Sequence, residues 1–116
     1  MPYRRTEIKE PVSSAARTTD GSSEFFDVHE YQEMLVLIDV SVVSGTAPSL
    51  KVLPETSPDQ ARAFPLVTPA DIVAITATGK YTIKVEGNLG KHDRLSWTIS
   101  GTTPSFTFRV TVVLKT

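Results

Sequence analysis

The 116-residue chain has no cysteine, no long apolar run and no excess of charge of either sign. The missing cysteines exclude disulfides, thiolate nucleophiles and zinc–thiolate sites. The longest apolar run, residues 34–38, is far shorter than the ~20 residues that a membrane-spanning helix needs. Twelve Lys and Arg against thirteen Asp and Glu give a net charge of −1, which leaves no basic field to hold nucleic acid. The sequence therefore predicts neither a nucleic-acid nor a membrane partner.

The beginning of the chain also lacks the pattern of a secretory signal. Residues 1–5 are charged, but no apolar run of about seven residues follows them. We therefore expect the chain to be made in the cytoplasm and to stay there, at least initially.

The composition otherwise indicates one globular domain preceded by a polar segment. Hydrophobic residues make up 40% of the chain and charged residues 22%, close to the average of folded domains. Residues 1–22 have scattered charges and almost no apolar periodicity, so they cannot bury their own surface. We expect them to form a flexible, extended N-terminal arm, either disordered or ordered on a neighbouring subunit. Residues 23–116 then form the domain, which should stay folded when residues 1–20 are removed.

Short runs rich in Val, Ile, Thr, Phe and Tyr, bounded by Gly, Pro, Asn, Asp and Ser, follow this arm and are typical of strands and turns. In the last run Phe106, Phe108 and Val110 fall on one face and Thr107 and Arg109 on the other. The pattern predicts an all-β fold, an antiparallel β-sandwich of jelly-roll or immunoglobulin-like type with about seven strands. The predicted strands are residues 24–31, 33–43, 49–54, 71–77, 79–86, 93–100 and 105–115.

Residues 34–38 are apolar at every position, which distinguishes them from the alternating strands. A strand with two apolar faces belongs in the centre of a sheet, or has its outer face covered by the arm or by another subunit. The second face of this strand therefore needs a cover.

One short motif occurs twice. Residues 44–49 read Ser-Gly-Thr-Ala-Pro-Ser and residues 100–105 read Ser-Gly-Thr-Thr-Pro-Ser. Each copy lies between two apolar runs and contains Gly, Pro and Ser or Thr, the residues that turns favour. The sequence predicts a hairpin connection at each copy, either as a repeated strand–turn–strand unit or as good turn sequence that recurs.

The residues that carry chemistry are few. Ser-His-Asp catalysis needs a histidine, and only His29 and His92 are present. Asp27, His29 and Glu33 make a conceivable metal site, but charges on an early strand are far more often plain surface. Trp97 with Tyr81 or Tyr31 could form a sugar platform, but Trp97 is in phase with core positions. Predicted loops contain four carboxylates, Glu55, Asp59, Asp71 and Asp93. Nothing in their spacing requires the carboxylate pair that glycoside hydrolysis uses.

No glycine pattern matches a phosphate-binding loop either. We therefore predict no catalytic, cofactor-binding or metal-binding residue and no enzymatic activity.

Three segments together resemble small virion structural proteins of tailed bacteriophages. They are residues 34–52, with the Ser-Gly-Thr-Ala-Pro-Ser motif, the Glu-Thr-Ser-Pro-Asp turn at 55–59, and residues 97–110, with the Gly-Thr-Thr-Pro-Ser-Phe motif. The resemblance covers much of the predicted domain and omits the arm. One departure is that Gln60, Ala61 and Arg62 follow the Ser-Pro-Asp turn, where a Gly and an aromatic residue are common in such proteins.

The resemblance implies a non-enzymatic component of the particle, and among these it favours a capsid decoration (cement) protein. Such a protein lies on the outer capsid surface, often as a trimer, and clamps neighbouring major capsid proteins. For this chain we accordingly expect the major capsid protein as partner, a trimer as homo-oligomer, and localisation on the virion after synthesis in the bacterial host. The candidate contact residues are Tyr3, Arg4 and Arg5 in the arm and Pro54, Glu55, Pro58, Asp59 and Phe64 in the proline-rich loop.

Two alternatives remain open at this point. The first is a tail, neck or head-fibre component of the same kind of particle. The second is a carbohydrate-binding β-sandwich that recognises a host surface, which would require exposed aromatic side chains.

Overall fold

Strands account for most of the chain. The computed structural model describes residues 5–116. Within that range a 3₁₀ turn forms at Pro69–Asp71, and no helix is long and apolar enough to cross a membrane. The predicted all-β class is confirmed, and so is the number of strands. They are β1 (Thr6–Arg17), β2 (Gly21–Ser22), β3 (Phe26–Asp27), β4 (Glu33–Ser57), β5 (Phe64–Pro65), β6 (Gly79–Glu86) and β7 (His92–Lys115).

The long strands β4 and β7 form the spine of the sheet, because they pair antiparallel along almost their entire length. The first half of β4 also pairs with β6, and the second half of β7 also pairs with β1. This gives one four-stranded layer in the order β1-β7-β4-β6. The other halves of β4 and β7 form a second layer, with β2 and β3 beside β7 and β5 beside β4.

The spine bends so that the two layers face each other. A straight strand of the length of β4, 25 residues, would extend for about 80 Å. The longest dimension of the molecule is only 52 Å. The bend coincides with shifts of register between residues 44–49 and 100–105. The result is a β-sandwich-like fold made from one continuous, folded-over sheet.

A single hydrophobic core lies between the layers. The first layer contributes alternate residues of β4 and β7, since side chains in a strand point to opposite faces in turn. Leu50, Val52 and Leu95 come from the second layer. The fully or almost fully buried members that β4 and β7 contribute from the first layer are Met34, Val36, Ile38, Val40, Phe106, Phe108, Val110, Val112 and Leu114.

The two copies of the repeated motif lie side by side at the bend, and the prediction of two hairpin turns is wrong. Ser44 pairs with Ser105, and Ser49 pairs with Ser100. Between these pairs each strand has a glycine with positive φ, 107° at Gly45 and 126° at Gly101. The same residue types that make a turn also make a bulge, which sharpens the bend of a strand without ending it. Each copy therefore bends one strand of the spine.

Two other predicted strands are much shorter than expected. The strand over 24–31 is reduced to the two residues of β3. Residues 71–77 form no strand, and Ile75 alone makes an isolated bridge to Leu50. Pro65 and Pro69 interrupt this region, and proline cannot donate to a ladder.

The segment predicted to be an arm is largely a strand of the sheet. Residues of β1 pair with β7 from Thr6 opposite Lys115 to Arg17 opposite Phe106, and Val12 is buried. Register shifts on both sides of Val12 break the alternation that marks a strand in a sequence. The guanidinium of Arg17 lies over the rings of Trp97 and Phe108, 5.1 and 4.9 Å from their centroids. Main-chain pairing and these contacts hold a segment that has little apolar surface of its own.

We expect Val12→Ala to lower the free energy of unfolding by about 2 kcal/mol, because two buried methyl groups are lost and a cavity remains. Ile8→Ala in the same strand should change it by less than about 0.5 kcal/mol, since Ile8 is 68% exposed. Urea denaturation in dilute solution measures both. Equal, small effects would contradict the placement of β1 in the core.

Candidate functional site

Three connecting loops and both ends of the described chain meet at the end of the sandwich opposite the bend, here called the loop end. Val28 N donates to Lys91 O at 2.9 Å, and Gly87 N donates to Gln32 O at 3.0 Å. These hydrogen bonds tie the loop before β4 to the loop between β6 and β7. The loop end consists of residues 28–32, 58–63 and 87–91 together with Arg5 and Thr116.

Arg5, one of the predicted contact residues, lies at the loop end. Its guanidinium makes two hydrogen bonds to the carboxylate of Glu30, at 2.8 and 3.2 Å. Its main chain pairs with Thr116, whose N donates to Arg5 O at 3.1 Å. Both side chains of the ion pair are exposed, so the pair contributes little to stability and remains accessible to a partner. Tyr3 and Arg4, the other predicted contacts in this segment, lie outside the described residues.

The turn after β4 is organised by the carboxylate of Asp59. Its Oδ1 accepts from the main-chain N of Ala61 and of Arg62, both at 3.0 Å, and its Oδ2 accepts from Arg62 Nε at 3.0 Å. These hydrogen bonds hold the pKa of Asp59 well below its usual range, with the Arg62 main-chain N–H as the largest cause. Gln60 adopts a φ of 60°, which the surrounding bonds stabilise. The loop that carries Pro58 and Asp59 is therefore preformed.

We expect Asp59→Ala to raise the hydrogen-exchange rates of the Ala61 and Arg62 amides by at least about tenfold, because both lose a charged acceptor. Asp59→Asn keeps an acceptor oxygen and should have a smaller effect. Since the pKa of Asp59 is lowered, protection of these amides is complete at neutral pH and is lost only in strong acid. Unchanged exchange in the Ala variant would contradict the role of Asp59.

The remaining predicted contacts differ in exposure. Pro54 is buried within β4, and its carbonyl accepts from Leu66 N at 2.9 Å. Glu55 is half-buried and paired with Arg94, 2.9 Å from Nε to Oε1. Phe64 is 48% exposed at the start of β5, opposite Thr56. Phe64, Pro58 and Asp59 thus lie at or near the loop end with accessible side chains, whereas Pro54 and Glu55 stabilise the strand behind it.

A buried carboxyl group lies beneath the loop end. Asp93, the second residue of β7, is fully buried, and neither of its oxygens has a hydrogen-bond partner. Thr56 is paired across from it, but its hydroxyl is within hydrogen-bond distance of the carbonyls of Leu89 and His92, at 3.0 and 3.2 Å. Burial raises the pKa of Asp93 to about 7. The sequence contains one sign of this burial: Asp93 lies two residues before the core residue Leu95, on the same face of the strand.

The other candidates from the sequence do not form a site. Asp27 Oδ1 lies 2.7 Å from His29 Nδ1 in an exposed pair, and no group of three His, Cys, Asp or Glu side chains suited to a metal occurs in residues 5–116. Trp97 packs edge-on against Phe108 with a centroid distance of 5.6 Å. A Cβ at Gly21 would lie 2.7 Å from the Trp97 ring, so this glycine packs directly on it. Together with Arg17, these contacts cover the ring that a sugar platform would expose.

An apolar groove of about 520 Å³ lies along one side of the sandwich. It separates β6 from the segment that connects β5 to β6. At this edge of the sandwich no paired strand joins the two layers. Its lining includes Ile38, Val52, Val67, Ile75, Tyr81 and Ile83.

No protein-family model matches this chain, and no curated protein matches it. Solved structures do match. The crystal structure of the SPBc2 prophage-derived protein YomS aligns with a TM-score of 0.57 at 13% identity, and the alignment covers 100% of this chain and 97% of that one. A chain in the structure of infectious bursal disease virus, Gx strain, aligns with a TM-score of 0.59 at 8% identity.

The extent of the two matches differs. The alignment with the viral chain covers 98% of this chain but 32% of the viral one, so this chain spans about a third of that protein and nearly all of YomS. The Gt strain of the same virus gives a TM-score of 0.53 at 9% identity. At such identities the matches establish a shared fold.

Proposed function

We propose that this chain is a non-enzymatic structural protein of a phage particle, which decorates the outer capsid surface and stabilises it by bridging neighbouring major capsid proteins. The observation that carries the proposal is the full-length match to a prophage-derived protein of the same size. A match to part of a chain from a virus supports the same class of function. The resemblance of residues 34–59 and 97–110 to small phage virion proteins points in this direction independently.

The loop end is the surface we propose for the capsid contact. It combines the preformed Asp59 turn with accessible side chains at Arg5 and Pro58, and Phe64 is exposed directly beside it in β5. A preformed loop loses little conformational entropy when it binds. Many identical contacts on a symmetric lattice then add through avidity, so each of them can be weak. In this proposal the loop end takes the role that the sequence had suggested for an arm, because β1 belongs to the sheet.

The first test is the number of copies of this chain in purified particles of the phage that encodes it, measured by quantitative mass spectrometry against the major capsid protein. Decoration of the shell requires a copy number of the same order as that of the major capsid protein. A few copies per particle would overturn decoration and place the chain in the tail, neck or head fibre. Absence from the particle would overturn a virion role altogether.

The second test addresses the loop end. We expect Phe64→Ser and Asp59→Ala to reduce occupancy on particles that lack the chain, measured by adding purified protein and sedimenting the particles. Val73→Ser is the matched control, since Val73 is 81% exposed but lies in the segment before β6. Equal binding by all three variants would contradict the assignment of the contact to the loop end.

The carbohydrate-binding alternative receives no support from Trp97, Tyr81 or Tyr31, the residues considered for a sugar platform. Trp97 is covered by Arg17, Gly21 and Phe108, and Tyr81 donates its hydroxyl to Ala77 O at 2.9 Å. Tyr31 is buried, and its hydroxyl bonds to Glu7. A sugar platform would need a ring face open to solvent.

A further inference from the structure

The outer face of the four-stranded layer has an apolar strip on β1, β7 and β4 between charged ends, and a charged edge on β6 with Lys80, Lys84 and Glu86. Leu35 and Leu37 in β4 and Val113 in β7 are partly exposed there, and Ile8 in β1 is 68% exposed. This is the second face of the strand that was expected to need a cover. We call it the outer face, and its residues at the centre of the layer are Glu33, Leu35, Leu37, Asp39, Arg109, Thr111, Val113 and Lys115.

The register of β4 and β7 arranges these residues in rows across the strands. Leu35 lies opposite Val113 and Leu37 opposite Thr111, so the two central rows have no charge on β4 and β7. On the neighbouring β6, Lys84 continues the Leu35 row and Thr82 continues the Leu37 row. Glu33 lies opposite Lys115 in the row at one end. Asp39 lies opposite Arg109 in the row at the other end, with 3.7 Å between Oδ2 and Nη2. Each end row therefore has a carboxylate on β4 and a cation on β7.

We propose that two copies of the chain bind each other through their outer faces, about a twofold axis that runs parallel to β4 and β7 and midway between them. Such an axis places β7 of one copy over β4 of the other and keeps every row in place. Glu33 then faces Lys115 of the second copy, Asp39 faces its Arg109, and the same pairs form again on the other side of the axis. The uncharged positions of β4 and β7 meet at the centre of the interface, and Lys84 of β6 lies over Ile8 in β1 of the second copy.

The alternative twofold axis, across the strands, gives the opposite result. It exchanges the two end rows, so that at the centre Glu33 would face Asp39 and Lys115 would face Arg109. Opposite charges would meet only at the β6 edge, where Glu86 would face Lys80. Like charges held in contact at the centre of an interface disfavour it strongly. The distribution of charge thus selects one mode of self-association, and aligned sheets pack in this way with strands within about 30° of each other.

The size of the face suits a weak but specific dimer. Four strands about 4.8 Å apart and eight residues of about 3.3 Å each give roughly 500 Å² per copy, or about 1,000 Å² buried in total. That area is at the lower limit for stable interfaces, so we expect dissociation in the micromolar range. An interface of this symmetry closes at two copies, whereas the resemblance to decoration proteins had suggested a trimer. The inference does not depend on the proposed function.

The first experiment is sedimentation velocity of the full chain over a range of concentrations, where we expect a monomer–dimer equilibrium. Leu35→Glu places a charge in the uncharged centre and should raise the dissociation constant roughly 100-fold or more. Val73→Glu adds the same charge at an exposed position outside the face and should leave the dimer intact. A monomer at every concentration, a trimer, or a dimer that survives Leu35→Glu would overturn the proposal.

A second experiment tests the charge pairs across the proposed axis, and its substitutions do not lie in the hydrophobic core. Asp39→Arg makes both the β4 and the β7 position of this row positive, and Arg109→Glu makes both negative, so each variant alone should dimerise weakly. An equimolar mixture of the two restores opposite charges across the axis and should form a heterodimer about as tight as the wild-type dimer. The control mixes Glu24→Arg with Lys51→Glu, which changes similar charges at exposed positions outside the face. If the first mixture associates no better than its components, the proposed axis is wrong.

Discussion

Replacing either glycine of the paired motifs by alanine is expected to lower the free energy of unfolding by about 3–5 kcal/mol. A Cβ at Gly45 would lie 2.7 Å from Thr103 O and 2.9 Å from Pro104 Cα. At Gly101 it would lie 2.9 Å from Ala47 O. These neighbours are backbone atoms of the opposite strand and cannot move aside independently. The positive φ of both glycines adds the strain that any residue with a side chain has in this region.

Gly87→Ala is the matched control for this prediction. Gly87 has a φ of 94°, but a Cβ there would meet nothing within 4 Å. Its replacement therefore measures the backbone strain alone, about 1–2 kcal/mol. Urea denaturation of the three variants separates strain from crowding. If Gly45→Ala and Gly101→Ala cost no more than Gly87→Ala, the two strands do not approach each other closely at the bend.

The double variant with both Gly45→Ala and Gly101→Ala should fail to fold, since the loss would approach the whole stability of a small domain.

The glycines of the bend also show what a local sequence pattern can predict. Residues 105–115 alternate clearly, and the structure confirms the strand and the face that it buries. Residues 33–43 also form a strand, but the apolar run 34–38 did not show which of its faces is buried. The turn composition at 44–49 and 100–105 predicted two hairpins, whereas the structure has a bend in two paired strands there. A pattern of residue types does not tell whether the chain reverses beside itself or bends across another strand. Here the partner of each motif is the other motif, 56 residues away in the chain (100 − 44).

The prediction of a flexible N-terminal arm was wrong for a different reason. Its register shifts interrupt the period of two, and Val12 is its single fully buried side chain. The free energy that holds β1 comes from pairing with β7 and from the contacts of Arg17, both made with residues about a hundred positions later in the chain. Likewise the loop end unites loops that are distant in sequence. Long-range pairing of this kind leaves no periodic signal in the segment itself.

Asp93 is expected to make the protein less stable as the pH rises from about 4 to about 7. Burial raises the pKa of Asp93 from 3.8 to about 7, so the folded state holds a proton on this carboxyl that the unfolded state has already released. Below about pH 4 Asp93 is protonated in both the folded and the unfolded protein, so no buried charge lowers the free energy of unfolding. Above about pH 7 both states are ionised, and the full cost of a buried carboxylate applies. A shift of about three pKa units corresponds to about 4 kcal/mol.

Asp93→Asn should remove this dependence, because the amide has nearly the same shape and never ionises. At about pH 8 we expect the variant to be more stable than the wild type by about 2–4 kcal/mol, and at about pH 4 to differ little from it. Urea denaturation of both proteins at the two pH values gives the difference directly, and other titrating groups cancel in it. Asp71→Asn, at an exposed aspartate, should show no such change. A difference between wild type and Asp93→Asn that stays constant with pH would mean that water reaches the carboxyl, and that the loops above it do not seal that end of the core.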